Sequence, residues 1–303
     1  MIFKTLWRLG DHSPETFLKL FDCQVQPILS YGSEVWAFLC NIDVIEKVHL
    51  FALRRFLGVS SRTPRHLVYG ETGRYPLFIN MFCRCVKYWL KLTRLDTTYY
   101  PRKAYDMLLN LHSQDKRNWA SEICYVLNTH GFGIVWENQG VGDIKLFMSE
   151  FKCRLIEDFK AKWTGKVNTS ERLVFYSSLR QSIMLSPYLL NVKHVHARNA
   201  LVRLRFGMCP LRFRSLRLFD VAPNSPVHCP NCESNLENEI HFMLVCPLYS
   251  ELRCEYIPTK FTRRPTLSSL SILLASTNPV LSINVALYVY YALKIRLLFI
   301  DNM

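Results

Sequence analysis

The 303-residue sequence predicts a mainly α-helical protein, on three observations. Apolar residues recur at spacings of three and four through most of the chain. Residues that start and stop helices bracket those runs. No stretch alternates apolar and polar residues long enough to read as a strand. The expected organisation is a helical bundle over residues 1–95 and a second helical region with a basic arm over 96–220. A small cysteine- and histidine-bearing module at 221–260 and closing helices over 261–303 follow.

The elements follow in order. Ser13, Pro14 and Glu15 make a helix start, with a side-chain cap, a proline in the first turn and an acid at the positive end of the dipole. Phe17, Leu20, Phe21, Val25, Ile28 and Leu29 then share a face, and Gly32 ends or kinks that helix. Asp43 with Glu46 reads as a capping box for a second helix. Val48, Phe51, Ala52 and Phe56 are its expected inward face, and Gly58 its stop. A third helix carries Phe78, Met81, Phe82, Cys85, Val86, Trp89 and Leu90 on one side. Its other side carries Arg84, Lys87, Lys91 and Arg94.

Past Pro101, a helix runs through Trp119, Ile123, Val126 and Leu127 to Gly131. A long helix then presents Ile144, Phe147, Phe151, Leu155, Phe159 and Trp163, and residues 164–172 read as a polar linker. Residues 280–300 have the length of a membrane span but include Asn284, Lys294 and Arg296. A charge deep in a bilayer costs roughly 2.5–3.5 kcal/mol on insertion scales, so a buried terminal helix is the expectation and a membrane anchor the alternative.

Half of the residues are hydrophobic, enough for a packed core. The 38 Lys and Arg against 24 Asp and Glu leave a net charge of +14, which favours a polyanionic partner, RNA or DNA. Eleven cysteines are an odd number for a disulfide framework, and the start shows no signal-peptide pattern. Reduced thiols and a nuclear or cytoplasmic location are therefore expected.

Three of those cysteines and a histidine fall within "HCPNCESNLENEIHFMLVC", residues 228–246. Cys229 and Cys232 flank a Pro-Asn turn, and His241 and Cys246 follow on a helix-like segment. Two residues between thiolates let both sulfurs reach one ion. Three thiolates and an imidazole complete a tetrahedral zinc site with no vacancy, a structural rather than catalytic kind. Leu236, Ile240, Phe242 and Leu244 are the expected cap over it. Replacement of one ligand by His228 or Cys254, a redox pair of Cys229 and Cys232, and unliganded core cysteines remain open.

The module itself is acidic, with Glu233, Glu237 and Glu239 and no cation between its outer cysteines. Phosphate contacts are expected from its flanks: Lys193, Arg198, Arg203, Arg205, Arg212, Arg214 and Arg217 on one side, Lys260, Arg263 and Arg264 on the other. A second basic zone holds Arg54, Arg55, Arg62, Arg65, His66 and Arg74, interleaved with Tyr69 and Tyr75. The rival reading is that these cations merely solvate helix faces. No Gly-rich phosphate loop, nucleophile elbow or Asp-Asp pair is present, and Glu34 and Glu71 stand isolated in the sequence. The expectation is binding without catalysis.

Three blocks in order carry a family likeness. "PILSYGSEVWAF" with "FALRRFLGVSSRTPRHLVYGETGRYPL" resembles the region after the polymerase core of non-LTR (LINE-type) retrotransposon reverse transcriptases. "CPNCESNLENEIHFMLVCPLYSELRCEYI" is similar to the zinc-knuckle segment near the end of those polyproteins, and "LYVYYALKIRL" to their closing helix. The resemblance implies a thumb-like helical region over 1–95 that holds template and primer, a linker, and a CCHC zinc knuckle with Cys229, Cys232, His241 and Cys246 as ligands. The family's Tyr-x-Asp-Asp motif and endonuclease are missing, and "RLRFGMCPLRFRSLRLF" departs from the family's usual approach to the knuckle. The expectation is a non-catalytic fragment of such a polyprotein. The alternatives are a protein-interaction or structural protein with a stabilising zinc, and an inert remnant.

Neutralising Arg212, Arg214 and Arg217 together should lower the slope of log affinity against log salt by about 2–3 for RNA or DNA, because fewer counterions are released. Filter binding across a salt series measures it, and an unchanged slope removes this arm from the interface.

Overall fold

The computed structural model describes residues 2–169, 174–211, 228–232 and 236–301. It holds eighteen α-helices and no named strand among the described residues. In chain order these are α1 (Ile2–Leu9), α2 (Pro14–Leu20), α3 (Gln26–Leu29), α4 (Ser33–Trp36), α5 (Ile42–Leu57), α6 (Arg65–Thr72), α7 (Leu77–Thr93), α8 (Tyr100–Ser113) and α9 (Trp119–Thr129). Next come α10 (Gly133–Glu137), α11 (Ile144–Thr169), α12 (Val174–Leu179), α13 (Pro187–Asn191) and α14 (Val195–Arg205). The last four are α15 (Ser250–Tyr256), α16 (Thr259–Thr262), α17 (Leu267–Leu274) and α18 (Pro279–Asp301). The mainly α class is as the apolar spacing predicts.

Two compact units emerge. Unit 1 comprises Met1–Leu20, Ala52–Arg74 and Trp163–Met303; unit 2 comprises Phe21–Phe51 and Tyr75–Lys162. Each gathers segments distant in sequence, whereas the four regions of the sequence reading run consecutively.

Within unit 2, α7 is the central element. Met81, Cys85, Val86, Trp89 and Leu90 are buried, as the three-four repeat requires. The Trp89 indole stacks on Trp136 at 5.6 Å and donates to the Tyr105 hydroxyl at 2.8 Å, so the polar atoms of the large rings are satisfied inside the core. Phe147 and Phe151 of α11 close the other end against Phe132. Asn118, whose side chain accepts from the Ala120 and Ser121 amides, forms a capping box that starts α9.

Within unit 1, Phe17 stacks on Phe56 at 4.5 Å, and Ser13 caps α2 by accepting from the Thr16 amide at 3.2 Å. The long α18 packs against α13, α14 and α15. It is apolar and long enough to cross a membrane, with a third of that stretch buried. Val285, Ala286, Tyr288, Val289 and Ala292 form the buried stripe, so the helix is buried on one face rather than all round.

Several local expectations change. Val48 and Phe51 are exposed; the buried side of α5 is Glu46, His49, Leu50, Leu53 and Leu57 together with the expected Ala52 and Phe56. The Asn41 side chain accepts from the Asp43 amide at the start of that helix, and Glu46 accepts from the Leu77 amide at 2.7 Å and meets His49 at 2.8 Å. The supposed linker at 164–169 is the last turn and a half of α11, anchored by buried Trp163 and Val167; residues 170–172 lie outside the described residues.

Glu71 is the largest departure. It is fully buried, it pairs with Arg205 at 2.9 Å, and it accepts from the Ser186 hydroxyl. Arg205 completes its bonds on the Leu274 carbonyl at 2.5 Å and lies over the Tyr188 ring. Gly73 caps α6 just beyond it at φ +66°, and a Cβ there would meet the Leu185 amide nitrogen at 2.4 Å.

Removing one partner of a buried pair leaves an uncompensated charge. Glu71→Gln should therefore lower unfolding stability by about 3–5 kcal/mol in urea titration, and the Glu71→Met/Arg205→Met double variant by less than the single. A Glu71→Gln loss within experimental error would show the pair to be dispensable.

Candidate metal centre

The centre is built from two short backbone devices. The first is the Cys229-Pro-Asn-Cys232 turn, which the antiparallel bridge between His228 and Leu236 closes. The second is a π-helical turn over His241–Val245. An α-helix advances about 100° per residue, so ligands five apart would diverge by about 140° around the axis. The wider i→i−5 closure, made by the Cys246 amide on the His241 carbonyl at 2.8 Å, brings both back to one side. The Asn238 side chain accepts from the His241 amide at 2.9 Å and sets the start of that turn.

Together these devices place one ligand atom each from Cys229, Cys232, His241 and Cys246 within 4.8 Å of one another. The Cys246 sulfur lies 3.7 Å from both Cys229 and Cys232. A tetrahedral ion about 2.3 Å from each sulfur sets the sulfurs about 3.8 Å apart, so the spacing fits a shared ion. His241 Nε2 is buried with no hydrogen-bond partner among the described residues, the condition of a ligand nitrogen. Burial lowers the His241 pKa, which favours the neutral imidazole with its lone pair, and burial likewise pushes the Cys246 thiol far up. The donor set therefore fits a metal ion.

A clasp from the rest of unit 1 holds this turn. Arg253 donates to the Met243 carbonyl at 3.0 Å and the Cys246 carbonyl at 2.6 Å. The Tyr288 hydroxyl of α18 donates to the Phe242 carbonyl at 2.9 Å. Arg296, also on α18, forks onto both oxygens of Glu237 at 2.5 and 2.8 Å. Phe242 and Leu244 are the buried cap, Ile240 is half-buried, and Leu236 is exposed. Of the module's acids, Glu237 and Glu239 are buried and Glu233 lies outside the described residues. The signal for the clasp was the cations that interrupt the apolar run of α18, which periodicity alone does not pair with an acid.

Of the alternatives, Cys254 and His228 are both exposed, and neither joins the cluster. The basic residues divide sharply. Arg198 is buried, donating to the His12 carbonyl at 2.8 Å and lying over the Phe56 ring, and Arg205 is consumed by Glu71. Both leave the expected phosphate-binding arm, because the packed helix α14 turns them inward. Arg203 is on the surface, forked onto the Gly58 carbonyl at 3.0 and 2.9 Å. Arg62 and Arg65 are exposed and Arg74 is half-buried, but Tyr69 is in the core and cannot stack on a base. Arg212, Arg214 and Arg217 lie outside the described residues.

Fold and site define the class: an α-helical protein with a buried Cys3His cluster able to hold a metal ion. No family model, curated protein or solved structure matches the chain.

Groups that orient metal ligands typically matter 10–100-fold for affinity. Arg253→Met should therefore weaken Co2+ binding by about that factor in a competition titration against a chromophoric chelator. Unchanged affinity would show that the Cys246 carbonyl does not need its donor.

Proposed function

We propose that the ion is zinc and that the chain is a non-catalytic, zinc-containing nucleic-acid-binding segment of a reverse-transcriptase-type retroelement polyprotein. The observation that carries the zinc reading is the sulfur spacing of 3.7 Å beside an orphaned His241 Nε2. Three thiolates and an imidazole fill a tetrahedral shell, and such an ion supplies folding energy rather than an open catalytic position. The nucleic-acid reading draws support from the net charge of +14, from the exposed Arg62, Arg65 and Arg203, and from the family resemblance of three ordered blocks. In this reading the knuckle stiffens the chain between basic flanks, and those flanks lie along a phosphate backbone.

A second reading, a structural or protein-interaction protein with a stabilising zinc, is favoured by the burial of Arg198 and Arg205. The two differ in salt dependence: a nucleic-acid binder loses affinity steeply as salt rises. An inert remnant would yield no folded protein in cells.

Purified protein should hold one zinc per chain, and cobalt in its place should show a thiolate-to-metal charge-transfer band. Cys246→Ser should weaken that band, and chelation should unfold residues 225–257 before the amino-terminal helices. Protein without stoichiometric metal, and with no such band after cobalt addition, would end the zinc reading.

A further inference from the structure

A second candidate site lies wholly inside unit 2. One side of α7 borders an open surface groove of about 700 Å³. Arg84, Lys87, Lys91 and Arg94 line it along about 15 Å of helix axis, and Tyr88, Leu95 and Ile144 supply an apolar wall. Glu34 of α4 is the one acid in the lining, which leaves three net positive charges.

The arrangement is more than a solvated face. Arg84 is held by the Ser30 carbonyl at 2.8 Å, and Arg94 by the carbonyls of Val141 and Gly142 at 2.7 and 3.0 Å. Each guanidinium is thereby fixed with further N–H groups left over. Trp119 packs edge-on against Tyr88 and donates to the Glu34 carbonyl at 3.0 Å, so the wall and the acid are braced by the same ring. Lys87 and Lys91 are exposed and form no ion pair among the described residues. Like charges three and four apart on a helix repel, a cost that a bound anion removes.

We propose that this groove takes a phosphate-terminated ring compound of the nucleotide class. Lys87, Lys91 and the spare N–H groups of Arg84 and Arg94 would bind the phosphates as charge-assisted donors. Tyr88, Leu95 and Ile144 would receive the flat ring, with Glu34 accepting from sugar hydroxyls. A free nucleotide and the phosphorylated end of a nucleic-acid strand share this chemistry. The proposal goes beyond the zinc reading and does not rest on it.

Calorimetry on the full chain, with ADP as the probe, tests it. Dissociation constants below about 1 mM are expected for ADP, with weaker binding of inorganic tripolyphosphate and none of adenosine. Lys87→Gln/Lys91→Gln should weaken ADP at least tenfold while its thermal melt stays that of the wild type, since both side chains are exposed. Displacement of ADP by a 5′-phosphorylated tetranucleotide, but not by its 5′-hydroxyl form, assigns the site to a strand end. No displacement assigns it to a free nucleotide. Equal ADP binding by the double variant, absence of ADP binding, or displacement by a polyglutamate peptide as effective as tripolyphosphate would overturn the proposal, the last in favour of an acidic protein partner. Loss of zinc binding would leave each of these outcomes unchanged.

Discussion

Sulfurs 3.7 Å apart in a buried turn are the constraint around which the rest of this module is arranged. Burial holds the Cys246 thiol protonated, so the metal-free turn is a knot of weak donors around an unpartnered imidazole. A divalent cation reverses that logic: it turns thiols into thiolates and gives His241 Nε2 its partner. The π turn suits such an ion, because its irregular closure places His241 and Cys246 on one side. The clasp of Arg253, Tyr288 and Arg296 then transmits the order of this turn to α15 and α18, the helices that carry those side chains.

Arginine has a second role throughout the chain. Arg203 forks onto Gly58 beyond α5, Arg102 reaches the last turn of α7, and Arg253 reaches the end of the π turn, while Arg54 forks onto the Thr63 carbonyl in the loop before α6. Helix ends leave carbonyls without intrahelical donors, and a planar fork of N–H groups satisfies them well. The net charge therefore overstates the cations available to a polyanion. Lysines, which make few such bonds here, and the arginines left at the surface carry the usable field.

The helices were legible because apolar spacing is a local property: α7 and α9 follow from their own residues. The four ligands were legible because a Cys-x2-Cys turn needs no distant partner to be recognised. What local spacing does not carry is non-local pairing. Glu71 looks isolated until α14 brings Arg205 to it across more than a hundred residues. Arg296 looks like a defect in an apolar run until Glu237 meets it. Val48 and Phe51 fit a helical stripe, yet the buried side of α5 includes Glu46 and His49, polar residues that hydrophobic periodicity discards.

Charge accounting at the knuckle sets the role open to it. With a doubly charged ion bound, three thiolates would leave one net negative charge, and the buried Glu237 is matched by Arg296. The module thus presents no positive field of its own, and a phosphate backbone gains nothing by approaching it. In the proposed reading, any grip on a nucleic acid comes from cations outside the module. In that reading a rigid insert would raise affinity by cutting the entropy lost when two basic segments bind together, without touching the ligand itself.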